Sequence, residues 1–361
     1  MSQTAKEARV AIALVGPGLD PLGGQAVQAD ALVRHLRAEG CPVTFIPINP
    51  RFPARLQWLR RWPYARTVLN QALYLPSLLR LRHANVVHIF SASYWSFLLA
   101  TAPAMVVARL LGKRVILNYR SGEADDHLAH WGPLLHPWLR LAHEIVVPSL
   151  FLREVFARHG YQVTVIPNVV DTVRFAYRER VAPRPRLLST RNLEPLYRVD
   201  VTLRAFALIK ARYPDATLTL AGAGSEGDNL RGLVASLGLE GVRFLGRVER
   251  AEMPALYADA DFLVNSSVID NQPGSVLEAL AAGLAVVSTG TGDIGTMLRN
   301  GETGVLVPPG DPEAMANAIA ALVDHPDRAV RLTRAARNYL EQHGWPRVRQ
   351  GWAAAYSGAA R

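Results

Sequence analysis

The chain contains almost no cysteine: Cys41 is the single one among 361 residues. An internal disulfide is therefore excluded, and a reducing compartment fits this composition. Half of the residues are apolar and 19% are charged, which is typical of a soluble globular protein. The length is too great for one ordinary hydrophobic core and predicts two domains.

Acidic residues are missing from a long part of the first half. No Asp or Glu occurs between Glu39 and Glu123, whereas that stretch holds eleven Lys or Arg residues and the whole chain has a formal net charge of +10. Such a patch attracts anions, for example lipid headgroups, pyrophosphates or nucleic acid. Aromatic residues lie among the arginines of "RLQWLRRWPYARTVLNQALYL", namely Trp58, Trp62, Tyr64 and Tyr74. This mixture suits a membrane surface, but a solvated helix with ordinary core aromatics is equally compatible. Because no nucleic-acid recognition module is visible, we expect no nucleic-acid partner.

The sequence shows no secretory leader and no convincing membrane span. The start "MSQTAKEARV" leads directly into "VAIALVG" without a small-residue cleavage site. The stretch 89–108 has no charge and is long enough to cross a bilayer, but it contains serines, a threonine and Pro103. We interpret it as a strand followed by a buried helix. We therefore expect a cytoplasmic protein, with the inner face of the membrane as a candidate location.

Short β-branched runs alternate with helical patterns from end to end. Twelve candidate strands are "VAIALV", "VTFIPI", "NVVHIF", "RVILNY", "EIVVPS", "VTVIPN", "RLLST", "TLTLAG", "VRFLG", "DFLVNSS", "AVVSTG" and "GVLVPP". This alternation predicts an α/β fold with parallel sheets covered on both faces. Twelve strands fit two doubly wound, Rossmann-like domains facing a cleft better than one very wide sheet.

The expected domains are residues 1–175, residues 176–340, and a C-terminal helix, 341–361, that crosses back to the first domain. The proline-bearing segment 174–186 predicts the linker. Ligands of open α/β sheets bind outside the carboxyl ends of the strands, so the motifs should lie in strand-to-helix loops.

Three loops carry glycines or arginines in such positions. In "GPGLDPLGGQAVQADAL", Gly24 precedes a helix and lets a phosphate or sugar approach the backbone, although a purely structural glycine turn fits equally well. In "STRNLEPLYRVD", Arg191 and Arg198 suit a pyrophosphate; alternatively Arg198 is solvated and Arg191 pairs with a neighbouring glutamate. In "LAGAGSEGDNL", Gly222 and Gly224 can let a nucleobase or ribose lie against the backbone.

The stretch "DNQPGSVLEAL" carries Asp270 and Glu278 on either side of Pro273, Gly274 and Ser275. One interpretation is a capping box, in which Ser275 begins the helix and Glu278 reaches back to it. The other is that a phosphate binds at the helix N-terminus while the two acids grip hydroxyl groups. The sequence leaves both open.

Histidines are close in sequence at His127, His130 and His136, and Trp131, Pro133 and Pro137 lie around them. We interpret them as loop residues rather than metal ligands. No metal-ligand spacing is visible elsewhere, so no metal is expected.

In this order the loops resemble the retaining glycosyltransferases of family 4, which have the GT-B fold. The resemblance covers nearly the whole chain, through "GGQAVQADAL", "VIPNVVDTVRF", "RNLEPLYRVD", "LAGAG", "RFLGRV", "DNQPGSVLEALAAGLAVVST" and "GETGVLVPPGDPEAMA". The family's pattern of two acids separated by seven residues corresponds to Asp270 and Glu278, the first acid being shortened to Asp.

The resemblance implies that the first domain, 1–175, binds the acceptor and that the second, 176–340, binds the nucleotide-sugar. It also implies roles for individual residues. Asp270 would contact hydroxyl groups of the donor sugar, and Glu278 would hold the ribose of the nucleotide. Arg191 corresponds to the family's phosphate-binding arginine, and Arg198 lies near its phosphate-binding lysine with one extra residue in between. Backbone amides of Gly274, Ser275 and Val276 would complete the anion site.

Two positions depart from the family pattern. Arg120 stands in "LNYRSGEADDHL" where the family usually has a histidine facing the donor sugar, so it would donate to a phosphate or hydroxyl, or indicate altered activity. In "TGTGDIG", Asp293 interrupts the usual pair of glycines.

The resemblance therefore implies a retaining, metal-independent glycosyltransferase without a cofactor. It would move a sugar from a nucleotide diphospho-sugar to a sugar, a glycan, or a lipid-linked or polysaccharide precursor, at or near an anionic membrane. The alternatives are a non-catalytic or partner-dependent sugar-nucleotide-binding protein of the same fold and a nucleotide-sugar epimerase.

Overall fold

The computed structural model describes residues 10–18 and 23–358, apart from the side chain of Arg60. The chain forms two compact units. The first consists of the chain up to Val169 together with the stretch from Val348 onward, and the second runs from Val170 to Arg347. The segment 174–186, expected to be a linker, is therefore part of the second unit.

The first unit is built on a six-stranded parallel sheet in the order β2-β1-β3-β4-β5-β6. Its strands are β1 (Ile12–Gly16), β2 (Val43–Pro47), β3 (Val86–Ser91), β4 (Arg114–Tyr119), β5 (Glu144–Val147) and β6 (Thr164–Val165). The residues of β1 and β3 are buried throughout, which is typical of a parallel sheet covered on both faces. This burial explains the continuous apolar runs in the sequence.

Helices cover this first sheet. They are α1 (Gly24–Ala38), α2 (Pro63–Ser77), α3 (Tyr94–Ser96), α4 (Ala102–Leu110), α5 (Ala124–Leu139) and α6 (Leu150–Arg158). A π-helical segment, Phe97–Thr101, joins α3 to α4, and 3-10 turns lie at Ala54–Arg61 and Leu78–His83. The charge-free stretch 89–108 thus forms the end of a strand and a helical segment, as expected. Among the described helices, none combines the length and the apolar character needed to cross a membrane.

The second unit repeats the architecture with the order β12-β11-β10-β7-β8-β9. Its strands are β7 (Arg186–Ser189), β8 (Thr217–Ala221), β9 (Val242–Gly246), β10 (Phe262–Asn265), β11 (Ala285–Thr289) and β12 (Val305–Val307). Its helices are α7 (Val199–Arg212), α8 (Gly227–Ser236), α9 (Met253–Asp259), α10 (Gly274–Ala282), α11 (Ile294–Met297), α12 (Pro312–Asp324) and α13 (Pro326–Tyr339). Short 3-10 turns lie at Pro195–Tyr197 and Leu340–His343. All twelve predicted strands are confirmed.

The helix α14 (Trp345–Ser357) packs against the first sheet along its length from Val348 onward. The Tyr356 hydroxyl lies 2.9 Å from Nδ1 of the buried His88 on β3. The ring of Trp352 lies 4.4 Å from that imidazole, centroid to centroid. Arg114 Nε also donates to the carbonyl of Ala355 at 3.0 Å. The C-terminal helix is therefore fixed to the sheet by buried polar contacts as well as by apolar burial.

Asp261 explains why the polar segment before β7 is ordered within the second unit. Its carboxylate accepts hydrogen bonds from Arg178, Arg180 and Arg186 at 3.0–3.1 Å. The Arg180 guanidinium is buried and also donates to the carbonyls of Tyr257 and Ala282 at 2.8 and 2.7 Å. A buried arginine is tolerated because its donors are satisfied. The linker prediction was wrong because the pattern of charges and prolines does not reveal this distant aspartate.

Candidate functional site

Loops at the carboxyl ends of β7, β8, β10 and β11 touch one another in the second unit. A Cβ added to Gly222 would lie 2.1 Å from the Arg191 carbonyl oxygen, and one added to Gly292 would lie 1.8 Å from the Asp270 carbonyl oxygen. Leu193 N donates to Ala223 O at 3.2 Å. These approaches place the loops within backbone contact distance, so the loop after β7 is positioned by β8 and the loop after β10 by β11.

Arg191 lies at the centre of these loops. Its Nη2 donates to Oδ2 of Asp270, and its Nη1 lies 3.4 Å from the hydroxyl oxygen of Ser275. The guanidinium carbon lies 4.3 Å from the centroid of the Tyr197 ring, a cation–π contact. The side chains of Arg191 and Asp270 are each only 12% exposed. Three sequence-predicted residues are therefore brought together, and the partner of Arg191 is Asp270 rather than a neighbouring glutamate.

The helix α10 begins beside this arginine. Pro273 is its N-cap residue, and no side chain caps its first turn within the described part of the chain. The amides of Gly274 and Ser275 have no acceptor inside the helix because they belong to its first turn. Such amides, together with the helix dipole, form an anion-binding position. The predicted elements thus meet here: a cation, a short hydroxyl side chain and an uncapped helix N-terminus.

Glu278 does not form the capping box that the sequence allowed. The helix begins one residue before Ser275, so the two residues do not have the required cap and N3 positions. The Glu278 carboxylate instead accepts a hydrogen bond from the Tyr257 hydroxyl at 3.0 Å. That hydroxyl also lies 3.2 Å from the carbonyl oxygen of Ser275 and 3.3 Å from the hydroxyl of Thr190. Glu278 is therefore held on the side of α10 by α9.

Burial raises the pKa of Glu278 to about 7. The hydrogen bond from Tyr257 and the positive charges of Arg250 and Arg174 act in the opposite direction, because they stabilise the carboxylate. Burial also raises the pKa of Tyr257 well above its ordinary value, so this hydroxyl stays protonated and remains a donor. The carboxylate of Glu278 therefore titrates near neutral pH.

Arg198 has a different environment from Arg191. Its backbone is left-handed, with φ of 46°, and it precedes α7 as the N-cap residue. Its guanidinium forms a bidentate pair with Asp200, with N–O distances of 2.9 and 3.0 Å. This pairing raises the pKa of Arg198. The strained backbone is held by Ser266, whose hydroxyl donates to the Arg198 carbonyl at 2.7 Å.

Gly222 and Gly224 serve the contact between loops. A Cβ on Gly224 would lie 2.2 Å from the carbonyl oxygen of Leu193 and 2.8 Å from a carboxylate oxygen of Glu194. Glu194 in turn accepts hydrogen bonds from the amide and hydroxyl of Ser225 at 3.2 and 2.6 Å. Both glycines are thus required by the backbone of the loop after β7, whether or not a ligand also approaches them.

Asp293 lies where the family pattern has a glycine, and it is buried. Its Oδ2 accepts a hydrogen bond from the Gln272 side chain at 3.2 Å. Gly292, directly before it, has a φ of +58° and faces the Asp270 carbonyl. Asp293 therefore ties the loop after β11 to the loop that carries Asp270, and the glycine that permits close approach is retained beside it.

Sequence reasoning missed Tyr257 and Tyr197. The sequence motifs assign no role to Tyr257 of α9 or to Tyr197 of the loop after β7. A tyrosine occupies the same position in the sequence pattern whether it packs in a core or donates to a carboxylate. The sequence therefore carries no signal for these contacts. Only the folding of α9 against α10 shows that Tyr257 joins the site.

Two sequence-predicted residues belong to the first unit. Gly24 is the first residue of α1, and a Cβ added there would meet no atom of the described residues within 4 Å. Arg120 follows β4 and bonds to the side-chain oxygens of Asn118, at 3.5 Å, and of Asn168. Its guanidinium also lies 5.2 Å from the centroid of the Phe90 ring. Burial lowers the pKa of Arg120 to about 9.

The three histidines expected in a loop lie instead in α5. His127 is buried: its Nε2 accepts from the amide of Tyr94 at 2.9 Å, and its Nδ1 lies 2.8 Å from the Tyr119 hydroxyl. Burial lowers the pKa of His127 to about 4. The loop prediction was wrong because Pro133 and Pro137 were taken as helix breakers, yet both lie inside α5. No group of three or more His, Cys, Asp or Glu side chains among residues 10–18 and 23–358 is arranged to hold a metal ion.

The fold is that of the GT-B class. Over 97% of its length the chain superimposes on all of HepE from Anabaena, crystallised with UDP and glucose, with a TM-score of 0.71 at 19% identity. It also superimposes, over 97% of its length and 99% of the other chain, on sucrose-phosphate synthase from Thermosynechococcus elongatus, with a TM-score of 0.73 at 20% identity. At these identities the likeness shows the fold and not the substrate.

Sequence comparison gives the family. Residues 22–174 match the family model for Glycosyltransferase Family 4, and residues 184–325 match the model for Glycosyl transferases group 1. Glycogen synthase of Mycobacterium tuberculosis (strain CDC 1551 / Oshkosh) is 30% identical over 296 residues, which cover 77% of this chain and 69% of that protein. Phosphatidyl-myo-inositol mannosyltransferase of Mycobacterium leprae (strain TN) is 32% identical over 59% of this chain and 58% of its own length. The chain belongs to the family 4 glycosyltransferases, which are retaining enzymes.

Proposed function

We propose that the second unit binds a nucleotide diphospho-sugar and that the chain transfers its sugar, with retention, to an acceptor. The observation that carries this proposal is the position of Arg191 beside the uncapped N-terminus of α10, within 3.4 Å of Ser275. A departing nucleoside diphosphate develops negative charge, and a preorganised cation with oriented amides stabilises that charge. Arg198 supplies a second guanidinium on the same loop.

Asp270 and Glu278 would bind the two parts of the donor on either side of the diphosphate, which are the sugar and the ribose. Asp270 would accept hydrogen bonds from hydroxyls of the sugar, and Glu278 from hydroxyls of the ribose. Support comes from their positions, one in the loop before α10 and the other on the helix itself, held by Tyr257. Gly274 and Val276 would contribute backbone contacts to the anion, and Gly222 and Gly224 would leave room beside the nucleoside.

The proton balance requires no separate protein base in this mechanism. The acceptor hydroxyl attacks on the face from which the diphosphate departs, and the leaving phosphate oxygen takes the proton of the acceptor. The bond from the sugar carbon to the diphosphate breaks as the bond to the acceptor oxygen forms. Positive charge for the leaving group comes from protein side chains and amides, so we propose a reaction without a metal ion.

For the first unit we propose contacts with the reacting molecules through Gly24 and Arg120. No atom of the described residues lies within 4 Å of a Cβ added at Gly24, and this room supports such a contact at the start of α1. Arg120 carries a guanidinium at the carboxyl end of β4, the kind of edge where ligands of α/β sheets bind.

The acceptor is proposed to be lipid-linked or to lie near an anionic membrane. Trp58, Trp62 and Tyr64 are exposed by 60%, 65% and 90%, and they lie in the same stretch of sequence as Arg55, Arg61 and Arg66. Exposed rings beside arginines suit the interface between headgroups and acyl chains. Tyr74 does not take part in this surface because it is buried, and its hydroxyl donates to the Ala100 carbonyl at 2.7 Å.

A screen of UDP-, GDP- and ADP-linked sugars tests the transferase function. The full chain should release free nucleoside diphosphate from one of them, and release should increase when a sugar or glycan acceptor is added. Release by wild type that is absent in Arg191→Ala but kept in Arg212→Ala would tie the reaction to the site. Binding of a nucleoside diphosphate without any release would instead favour a non-catalytic sugar-nucleotide-binding protein, the alternative suggested by Arg120.

Vesicle flotation tests the membrane proposal. The chain should float with vesicles rich in anionic phospholipid and not with neutral ones, and the variant Trp58→Ala/Trp62→Ala/Tyr64→Ala should lose flotation. Leu110→Ala is a matched control, because Leu110 is an exposed apolar residue of α4 in the same unit. Equal flotation with both kinds of vesicle, or an effect of the control as large as that of the triple variant, would contradict the proposal.

A further inference from the structure

The cation proposed to hold the diphosphate is already bonded to the acid proposed to hold the sugar. Arg191 Nη2 donates to Asp270 Oδ2, and both side chains are only 12% exposed. A phosphate oxygen cannot occupy the position of that carboxylate oxygen while the pair is formed. Binding of a donor diphosphate to this face of Arg191 therefore requires that Asp270 give up the guanidinium.

The pair is held from both sides. Asp270 Oδ2 also accepts from the Ser267 hydroxyl and Oδ1 from the Asn271 amide, both at 3.1 Å. The face of the Arg191 guanidinium is covered by the Tyr197 ring. Its Nε is buried and has no hydrogen-bond partner among the described residues, so the guanidinium retains a donor that Asp270 does not satisfy.

We propose that Asp270 is an internal anion that competes with the diphosphate for Arg191, and that it thereby makes the site selective for the intact donor over the free nucleoside diphosphate. This inference rests on the proposed function. An intact donor replaces both halves of the pair: its phosphates bind Arg191, and its sugar hydroxyls bind Asp270. A free nucleoside diphosphate replaces only one half and leaves a largely buried carboxylate without its cation, which is unfavourable.

The same competition assists product release. When the sugar has moved to the acceptor, Asp270 loses its hydroxyl partners and returns to Arg191. Its return weakens the hold on the diphosphate that remains. Asp270 is thus a specificity-determining residue that couples the sugar position to the phosphate position.

The neighbouring pair, Arg198 with Asp200, does not have this property. Its partners are two residues apart in sequence, and their side chains are 42% and 35% exposed. Water can therefore replace the carboxylate at little cost, and Asp200 belongs to the helix α7 rather than to the loop proposed to read the sugar. The coupling between the sugar position and the phosphate position is therefore a property of the pair Arg191 and Asp270, which are 79 positions apart in sequence.

Calorimetric titration of the full chain with UDP, GDP, ADP and their glucose esters tests the inference. We expect Asp270→Asn to bind the free nucleoside diphosphate roughly tenfold more tightly than wild type, since a charge-assisted hydrogen bond no longer has to be broken. Affinity for the glucose ester should stay equal or fall. The ratio of the two affinities is the decisive quantity. If the variant acted only by making the site more positive, its affinity for both ligands would increase by the same factor.

Asp324→Asn is the matched control. Asp324 also pairs with an arginine of the second unit, Arg212, but on an exposed surface, and this variant should leave both affinities unchanged. An unchanged affinity ratio in Asp270→Asn would overturn the inference while the proposed function stands. If neither wild type nor Asp270→Asn binds any of the six ligands, the proposed function fails as well.

A structure of wild type with the bound nucleoside diphosphate gives a second test that does not depend on the folding of a variant. The Arg191–Asp270 hydrogen bond should be absent, and a phosphate oxygen should lie within hydrogen-bond distance of Arg191. A phosphate bound to Arg191 beside an intact Arg191–Asp270 pair would overturn the inference.

Discussion

Both units place an arginine just after a strand in the interior of the sheet, and the two arginines have different partners. Arg120 follows β4 and bonds to the amide oxygens of Asn118 and Asn168. Arg191 follows β7 and bonds to the carboxylate of Asp270 and to Ser275. Asn118 in turn is hydrogen-bonded to the buried His88, which is bonded to Tyr356 of α14.

The comparison shows that an arginine at the carboxyl edge of a parallel sheet can have a structural role or can hold a partner that a ligand is able to replace. In the first unit the polar groups around Arg120 belong to a buried network that fixes the C-terminal helix to the sheet. Such a network is costly to leave partly satisfied. In the second unit the partner of Arg191 is the carboxylate of Asp270, and a phosphate of a ligand can take the place of this anion. We therefore expect the loss of Arg191 to affect mainly turnover, and changes in the buried network around Arg120 to affect mainly stability.

The largest effect is expected for Arg191→Ala, which should lower kcat by at least about a hundredfold, because a preorganised charge at the leaving group is lost. Arg120→Met should lower kcat by less than about tenfold. Arg212→Ala, which removes an exposed arginine paired with Asp324, is the control and should act like wild type. Steady-state kinetics with the donor found in the screen measures all three. An equal loss for Arg120→Met would remove the distinction between the two arginines.

Gly222→Ala should destabilise the protein by about 1–3 kcal/mol, because the new methyl group would overlap the Arg191 carbonyl. Gly24→Ala should change the free energy of unfolding by less than about 0.5 kcal/mol, since the described residues leave its surroundings open. Urea unfolding followed by circular dichroism measures both. If Gly24→Ala folds normally but turns over slowly, a ligand contact at α1 is supported; normal turnover would argue against it.

Acid should destabilise the first unit through His88. Burial, assisted by the charge of Arg120, lowers the pKa of His88 to about 3, whereas the unfolded chain has an ordinary value of about 6.5. Below pH 6.5 the imidazole of His88 takes up a proton in the unfolded chain but stays neutral in the folded protein. The free energy of unfolding therefore decreases as the pH falls from 6.5 towards 3. His88 should contribute about 2 kcal/mol of this loss between pH 7 and 5.

Urea unfolding of wild type and His88→Gln at the two pH values measures this contribution. The variant should lose less stability between pH 7 and pH 5 than wild type, whatever its stability at pH 7. An identical loss in both proteins would contradict the prediction, because it would show that His88 takes up a proton as readily in the folded state as in the unfolded chain.

The smallest effect concerns Glu278 in the second unit. If its carboxylate binds the ribose, kcat/KM should fall below pH about 7, by up to about tenfold for each pH unit. Tyr257→Phe should move this limb to higher pH, because the hydroxyl that stabilises the carboxylate is removed. Glu278→Gln should abolish the limb. A pH profile in which Glu278→Gln keeps the acid limb would assign that limb to another group.

The sequence predicted the fold well because the interior strands are buried on both faces. Runs such as "RVILNY" and "NVVHIF" coincide with β4 and β3, since a parallel strand between helical layers has to be apolar along its length. The linker and the histidine loop were predicted wrongly. Both depend on distant partners: Asp261 orders the supposed linker, and packing against Tyr94 and Tyr119 keeps His127 in a helix despite the nearby prolines.

The elements of the candidate site were predictable one by one, and their contacts were not. Arg191, Asp270 and Ser275 all lie in strand-to-helix loops, so the sequence indicates that they share one edge of a sheet. The sequence left two partners open for Arg191, a pyrophosphate or a nearby glutamate, and the only protein partner it offered was a local one. The observed partner lies in the loop after another strand, β10, which is beside β7 in the sheet order.

By itself the sequence determined two parallel α/β sheets, the excess of positive charge in the first half and the loops that carry the family's motifs, because these depend on local pattern and composition. Only the tertiary structure decided that Arg191 is bonded to Asp270, that Tyr257 holds Glu278 and that Arg120 joins a buried network with His88. The physical reason is that charged and hydrogen-bonding groups pair with residues that are far away in sequence. The spacing of residues along the chain does not indicate which distant group will be buried next to a given side chain.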